Sequence, residues 1–211
     1  MKPRSVPELG RWASESAIEG GVMKVIVNTL ASCVFLLTIW PTDLYAESDW
    51  KLFDDPNVGY SFSYPSTWEI KTQRTYAFRI MVADPNGTGS CMLKTNTLPP
   101  QIAGLTAEEV IRQTSKQDLI NGARQHGTEM NISVFKSTKV ANRPAIYYED
   151  ASSFQSLNVT IPLRTVNVVT KAGALLYTLS CVTTPEDMER NKSRYTFVLQ
   201  SLVIRKPSLP W

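Results

Sequence analysis

Residues 59–70, Gly-Tyr-Ser-Phe-Ser-Tyr-Pro-Ser-Thr-Trp-Glu-Ile, constrain the fold of this chain more than any other stretch. Tyr60, Phe62 and Tyr64 alternate with Gly59, Ser61 and Ser63. A period of two marks a strand, with one aromatic face and one small, polar face. Pro65 has no N–H to give to a ladder, so the strand is expected to stop there. Ser66 and Thr67 make a turn, and Trp68 and Ile70 open the next strand with an aromatic pointing inward. Four aromatics so close together could line a ligand groove. At this alternation they read as core, because large aromatics stabilise a fold chiefly by being buried.

The rest of the chain supplies partners for that strand. Trp50 to Phe53 reads as a short edge strand before an Asp-Asp-Pro-Asn turn. Tyr76, Phe78, Ile80 and Val82 alternate as a further strand, and Asp84-Pro-Asn-Gly is strong turn chemistry. Residues 90–98 return with Cys91 and Leu93 on one face. Thr106 and Glu109 have capping-box spacing, and the helix they start is expected to reach about Asp118, with a kink or second short helix beyond. Residues 132–140 and 145–149 are strands joined by a turn. Val159, Ile161 and Leu163 lie in one phase and Val166 and Val168 in the other, which predicts a bulge or bend between them, beside Pro162. Residues 171–174 close a hairpin into residues 175–182. A last helix starts at the Thr184 N-cap with Pro185 at N1, and it carries an apolar stripe of Met188, Tyr195, Val198, Leu199 and Leu202. Antiparallel strands with helices covering the sheet make an α+β layer fold in a single domain, residues 47–211.

Residues 23–46 have the layout of a secretory signal peptide. Lys24 precedes an uncharged apolar run over residues 25–40, and a polar break ends in Ala46, after which cleavage is expected. The run falls short of the ~20 residues of a membrane span, so contact with a membrane is expected only through an uncleaved signal. Leu30-Ala-Ser-Cys33 resembles a lipobox, but Cys33 lies inside the apolar run, and a lipid anchor is the lesser alternative. Residues 1–22 are polar and patternless, and translation is expected to start at Met23. Export implies a periplasmic or secreted location and an oxidising compartment. There Cys91 and Cys181 are disulfide candidates; the alternative is two separate buried thiols, since nothing in the sequence sets their strands side by side.

Composition excludes several functions. The net charge of +3 is spread without a run of five like charges, unlike a nucleic-acid footprint. The single histidine, His126, leaves no His pair for a metal and sits in a polar stretch, where a solvated surface role fits better than a general base. Asp54, Asp55 and Asp84 stand in turns without calcium-loop spacing. No phosphate loop, dinucleotide fingerprint, nucleophile elbow or Cys-x-x-Cys occurs. Asn86, Asn131, Asn158 and Asn191 begin glycosylation sequons, relevant only to a eukaryotic secretory host.

The motif Gly59-Tyr60-x-Phe62-x-Tyr64-Pro65-x-x-Trp68 resembles the opening of the PsbP/DcrB-like superfamily, which includes thylakoid-lumen photosystem II accessory proteins and bacterial periplasmic relatives. Two later segments are similar in the right order: residues 142–149, with Pro144 and Tyr147, and the hairpin carrying Tyr177 followed by the last helix and Ser-Leu-Val-Ile. The resemblance implies an antiparallel sheet sandwiched between helices, and a non-enzymatic accessory role with a protein partner at an envelope or lumenal membrane assembly. It implies no cofactor here, because the His-and-acid metal sites of some members cannot be built from one histidine. Relatives that bind a Ran-type GTPase in the nucleus fit the export signal poorly. A small-ligand or lipid-binding module, with a pocket between sheet and helix, is the alternative function; an enzyme built on dispersed acids is the weakest.

Overall fold

A computed structural model describes residues 49–205, apart from 57–58, 72–79, 88, 126–127 and 157–158, and gives only the backbone of 154–156. The signal-peptide segment, Cys33, Ala46, Tyr76, Phe78 and His126 lie outside the described residues.

In chain order the elements are β1 (Trp50–Asp55), β2 (Tyr60–Pro65), β3 (Glu69–Lys71), β4 (Ile80–Ala83) and β5 (Ser90–Thr97), then α1 (Pro100–Ala103), α2 (Ala107–Gln113) and α3 (Lys116–Gln125). They continue with β6 (Asn131–Val140), β7 (Arg143–Ser156), β8 (Val159–Ala172), β9 (Leu175–Thr183), α4 (Pro185–Gln200) and β10 (Val203–Ile204). β2 lies between β1 and β10 in a three-stranded sheet, and the other strands form a sheet in the order β3-β4-β5-β9-β8-β7-β6. Every pairing is antiparallel.

The large sheet divides two cores. On one side Tyr60, Phe62, Tyr64 and Trp68 pack with Val82, Leu93, Val168, Leu179 and the α4 stripe. On the other, Val110 and Ile111 of α2, Ile102 of α1 and Leu119 of α3 pack on Ile132, Ile146, Tyr148, Val169 and Leu176. Alternation along a strand makes this possible, since Val168 serves one core and its neighbour Val169 the other. The aromatics of the opening motif are therefore core.

Local chemistry sets the element ends. The Thr106–Glu109 capping box forms, and Thr184 caps α4 by accepting from the Asp187 N–H. Gly173 takes a φ of 58° in the two-residue β8–β9 turn, a conformation that suits residues without a Cβ. Buried Lys171 donates to the Ala103 and Gly173 carbonyls, tying the end of α1 to that turn.

Three expectations change. The helix after Thr106 ends at Gln113, before Asp118, because Ser115 and Asp118 form a second reciprocal cap that starts α3. Trp68 precedes β3 and is buried, whereas Ile70, on a three-residue edge strand, is 43% exposed. On the polar face of β2 Ser61 is buried, and the Asp54–Arg205 ion pair joins β1 to the residue after β10. The bulge near Pro162 is absent, and β7 and β8 pair without a break from Ser156 opposite Val159 to Ala145 opposite Thr170. The change of phase has a different cause. β9 joins β8 only from Arg164, and β6 leaves β7 at Ala151, so residues 159–163 belong to a two-stranded arm that is at most half-buried. The register shift falls instead in β6, between Ile132 and Val134.

Candidate functional site

Cys91 and Cys181 lie directly opposite each other on β5 and β9 and form a disulfide with an S–S distance of 2.04 Å. Both are fully buried, so the bond is a staple inside the core. The remaining residues singled out from the sequence are also structural. Gly59 adopts a φ of 78°, donates to the Asp55 carbonyl and accepts from the Arg205 N–H. Tyr177 is core, Pro65 ends β2, and the Pro144 carbonyl accepts from the Thr170 hydroxyl. Tyr147 donates to Glu149, which pairs with Lys192 of α4, while Lys136 stands 4.8 Å over the Tyr147 ring. Asp54 is engaged with Arg205, and Asp84 accepts from the Asn86 N–H in its turn.

Two polar networks, the first half-buried and the second buried, were not legible in the sequence. At the start of α4, Asp187 accepts from the Tyr195 and Thr183 hydroxyls and the Asn191 amide. Burial pushes its carboxyl up, but these hydrogen bonds outweigh burial and hold it below the usual carboxylate range. The Tyr195 phenol is pushed up, first by burial and then by its bond to Asp187. On the opposite face a chain of donors runs across three strands. Ser180 Oγ donates to Asn167 Oδ1 at 2.6 Å, and Asn167 Nδ2 donates to Asp150 Oδ2 at 2.8 Å. Asp150 is 3% exposed. Burial pushes its carboxyl up to about 6, against the opposing pull of the Asn167 hydrogen bond and the Arg164 charge.

The open site lies beside this second network. A cleft of about 440 Å³ separates the C-terminal end of α3 from the start of β6 and the middle of β7. Ile120, Met130 and Ala151 supply apolar wall, and Arg124 and Glu129 bring opposite charges. Ser152, Ser153 and Asn131 add hydrogen-bonding groups. The Oγ1 of Thr128, also in the lining, is buried and has no hydrogen-bond partner among the described residues. A buried hydroxyl left unpaired is costly, which makes this position receptive to a ligand group. None of the sequence-singled motif residues reaches the cleft. Asn131 was marked only as a sequon, and the other lining residues carry no motif; they meet because β6 is shorter than β7.

No family model and no curated protein matches the sequence. Among solved structures, cyanobacterial PsbP (CyanoP) from Synechocystis overlays with a TM-score of 0.52 at 16% identity, covering 83% of this chain and 98% of that one. LpqN of Mycobacterium tuberculosis, described as involved in cell envelope biogenesis, gives 0.46 at 13% identity, covering 74% and 91%. The Ran-binding protein Mog1p of Saccharomyces cerevisiae gives 0.49 at 4%, covering 74% and 95%. The overlay on nearly all of CyanoP shows that this chain has the PsbP-like fold.

Proposed function

We propose that this chain is a non-enzymatic accessory domain that works outside the cytoplasm by binding another protein. The observation that carries the reading is the whole-domain likeness to cyanobacterial PsbP. The Cys91–Cys181 disulfide supports an oxidising compartment. The engagement of these two acids supports a binding role over catalysis. Asp187 spends its oxygens on three internal donors, and Asp150 is closed off behind Asn167. A general base has to reach a substrate proton, and neither acid is placed to do so.

Expression from Met23 in a secreting host, followed by intact mass and mild crosslinking, tests the reading. A mature product starting at Glu47 and crosslinked to a component of a membrane assembly is the expected result. A turnover abolished by one side-chain substitution would overturn it. The second reading is a small polar ligand held in the cleft, favoured by the unpaired Thr128 hydroxyl. A reproducible small-molecule adduct in native mass spectrometry, lost on filling the cleft, would select it.

A further inference from the structure

β7 outruns the strand beside it. β6 makes its last pair at Asn131 opposite Ala151, whereas β7 continues to Ser156 with β8 on its other side. Among the described residues nothing pairs the edge of β7 over residues 152–156. The chain cannot fill this lane with its own preceding residues, because the Thr128 N–H donates to the Ala123 carbonyl and turns the backbone toward α3. An unpaired edge presents a row of backbone donors and acceptors, and proteins guard such edges with lysine, proline or bulges. The free edge of β6 is guarded in this way, by Lys136, Lys139 and the register shift after Ile132. Residues 152–156, Ser-Ser-Phe-Gln-Ser, contain no charge and no proline. The cleft opens at the head of this unguarded lane, with Ser152 and Ser153 in its wall. Arg124 and Glu129 line the same cleft, and neither has an ion-pair partner among the described residues.

We propose that residues 152–156 of β7 are a β-augmentation site, onto which an extended segment of the protein partner adds as a strand. An acidic group of that segment meets Arg124 and a basic group meets Glu129. The inference rests on the accessory-domain reading and names the surface it would use. An extended peptide fits better than a small molecule, because a lane of about 16 Å at strand spacing offers repeated main-chain bonds that only another backbone can match. Main-chain pairing supplies the affinity, and the cleft, with its two unpaired charges and the Thr128 hydroxyl, supplies the selectivity.

The test uses the full secreted chain and a fluorescein-labelled octapeptide, Thr-Val-Glu-Val-Thr-Val-Lys-Thr. A control peptide of the same sequence is N-methylated at alternate residues, which removes its ladder donors. Anisotropy should show saturable binding, and backbone amide exchange should slow at residues 152–156 but not along β6. N-methylation and Arg124→Glu should each weaken binding at least about tenfold, the scale of a lost charge-assisted contact. Arg124 is exposed, so the variant keeps its far-UV spectrum and melting temperature. No binding at about 1 mM peptide, or equal binding of the methylated control, would overturn the proposal. Complete displacement by free glutamate and lysine would do so as well, in favour of a small-molecule site. A crosslinked partner mapped to another face would sink the lane and leave the accessory reading standing, whereas a chain with no partner would sink that reading itself.

Discussion

Asp150 makes the stability of this fold depend on pH in the range just below neutrality. Its carboxyl titrates at about 6 in the native state against an ordinary value of 3.8, a rise of about two units, and burial is the main cause. At roughly 1.4 kcal/mol per unit, ionising this group costs the folded state about 3 kcal/mol more than the unfolded chain. The native state holds the proton more tightly, so the full stability is present below about pH 4 and is lost as pH rises through about 6. Asp150→Asn removes the charge and keeps an oxygen to accept from Asn167 Nδ2. Urea denaturation of both proteins, followed by tryptophan fluorescence from pH 4 to 8, isolates the contribution as a difference, in which the acids common to both proteins cancel. The variant should match the wild type near pH 4 and exceed it by up to about 3 kcal/mol above pH 7. A difference that stays flat with pH, or a variant that loses most stability at neutral pH, would refute the reasoning and show that the carboxylate is solvated or paired more strongly than burial implies.

Other substitutions probe the opposite core and the staple. Cys91→Ala with Cys181→Ala opens a loop closed across a sequence separation of 90, for which chain entropy sets a ceiling of about 4–5 kcal/mol; melting should fall to the temperature of the reduced wild type. Gly89→Ala places a Cβ 2.3 Å from the Tyr195 hydroxyl, on a ring held by Trp68, and should cost about 1–3 kcal/mol in chemical denaturation. Tyr195→Phe removes a donor from Asp187, whose depressed carboxyl contributes stability above its ordinary range that is lost as pH falls. That variant should begin acid unfolding at a higher pH than the wild type. Thr178→Val replaces a buried hydroxyl without a partner and should be neutral or stabilising by about 1 kcal/mol in the same assay; a clear loss would mean an internal water satisfies that oxygen.

The one-sided burial of each element was readable from the chain because burial leaves a period. Tyr60, Phe62 and Tyr64 recur every second residue, the α4 stripe follows the helical repeat, and Thr106 and Thr184 announce helix starts by local bonds within four residues. Adjacency over long distances leaves no such trace. Cys91 and Cys181 become neighbours only through the β5–β9 pairing, and the Ser180–Asn167–Asp150 chain exists only because β9, β8 and β7 align. The two apolar phases of β8 were misread as a bulge for a related reason. A fully buried face fixes the register, and residues 159–163 are at most half-buried, so their alternation is a weak guide to it.

That misreading bears on function. A strand pattern that fails to match its core is ordinarily a defect, and natural sheets shorten or charge such extensions. Here β7 and β8 extend past the sheet together, without charge on the exposed lane of β7 and with an unpaired hydroxyl in the cleft at its root. The opening motif, the disulfide and the Asp187 network all serve the core on the α4 side of the large sheet, and the disulfide and Asp187 are engaged internally. The arm is paired by one neighbour where the rest of β7 has two, so its backbone opens at lower cost than the core strands and can exchange water for a partner strand. Amide exchange in the free chain should therefore be faster at residues 152–156 than along the doubly paired part of β7, and slow near Cys91 and Leu179. Uniform protection along β7 would mean that the lane is already covered and unavailable to a partner.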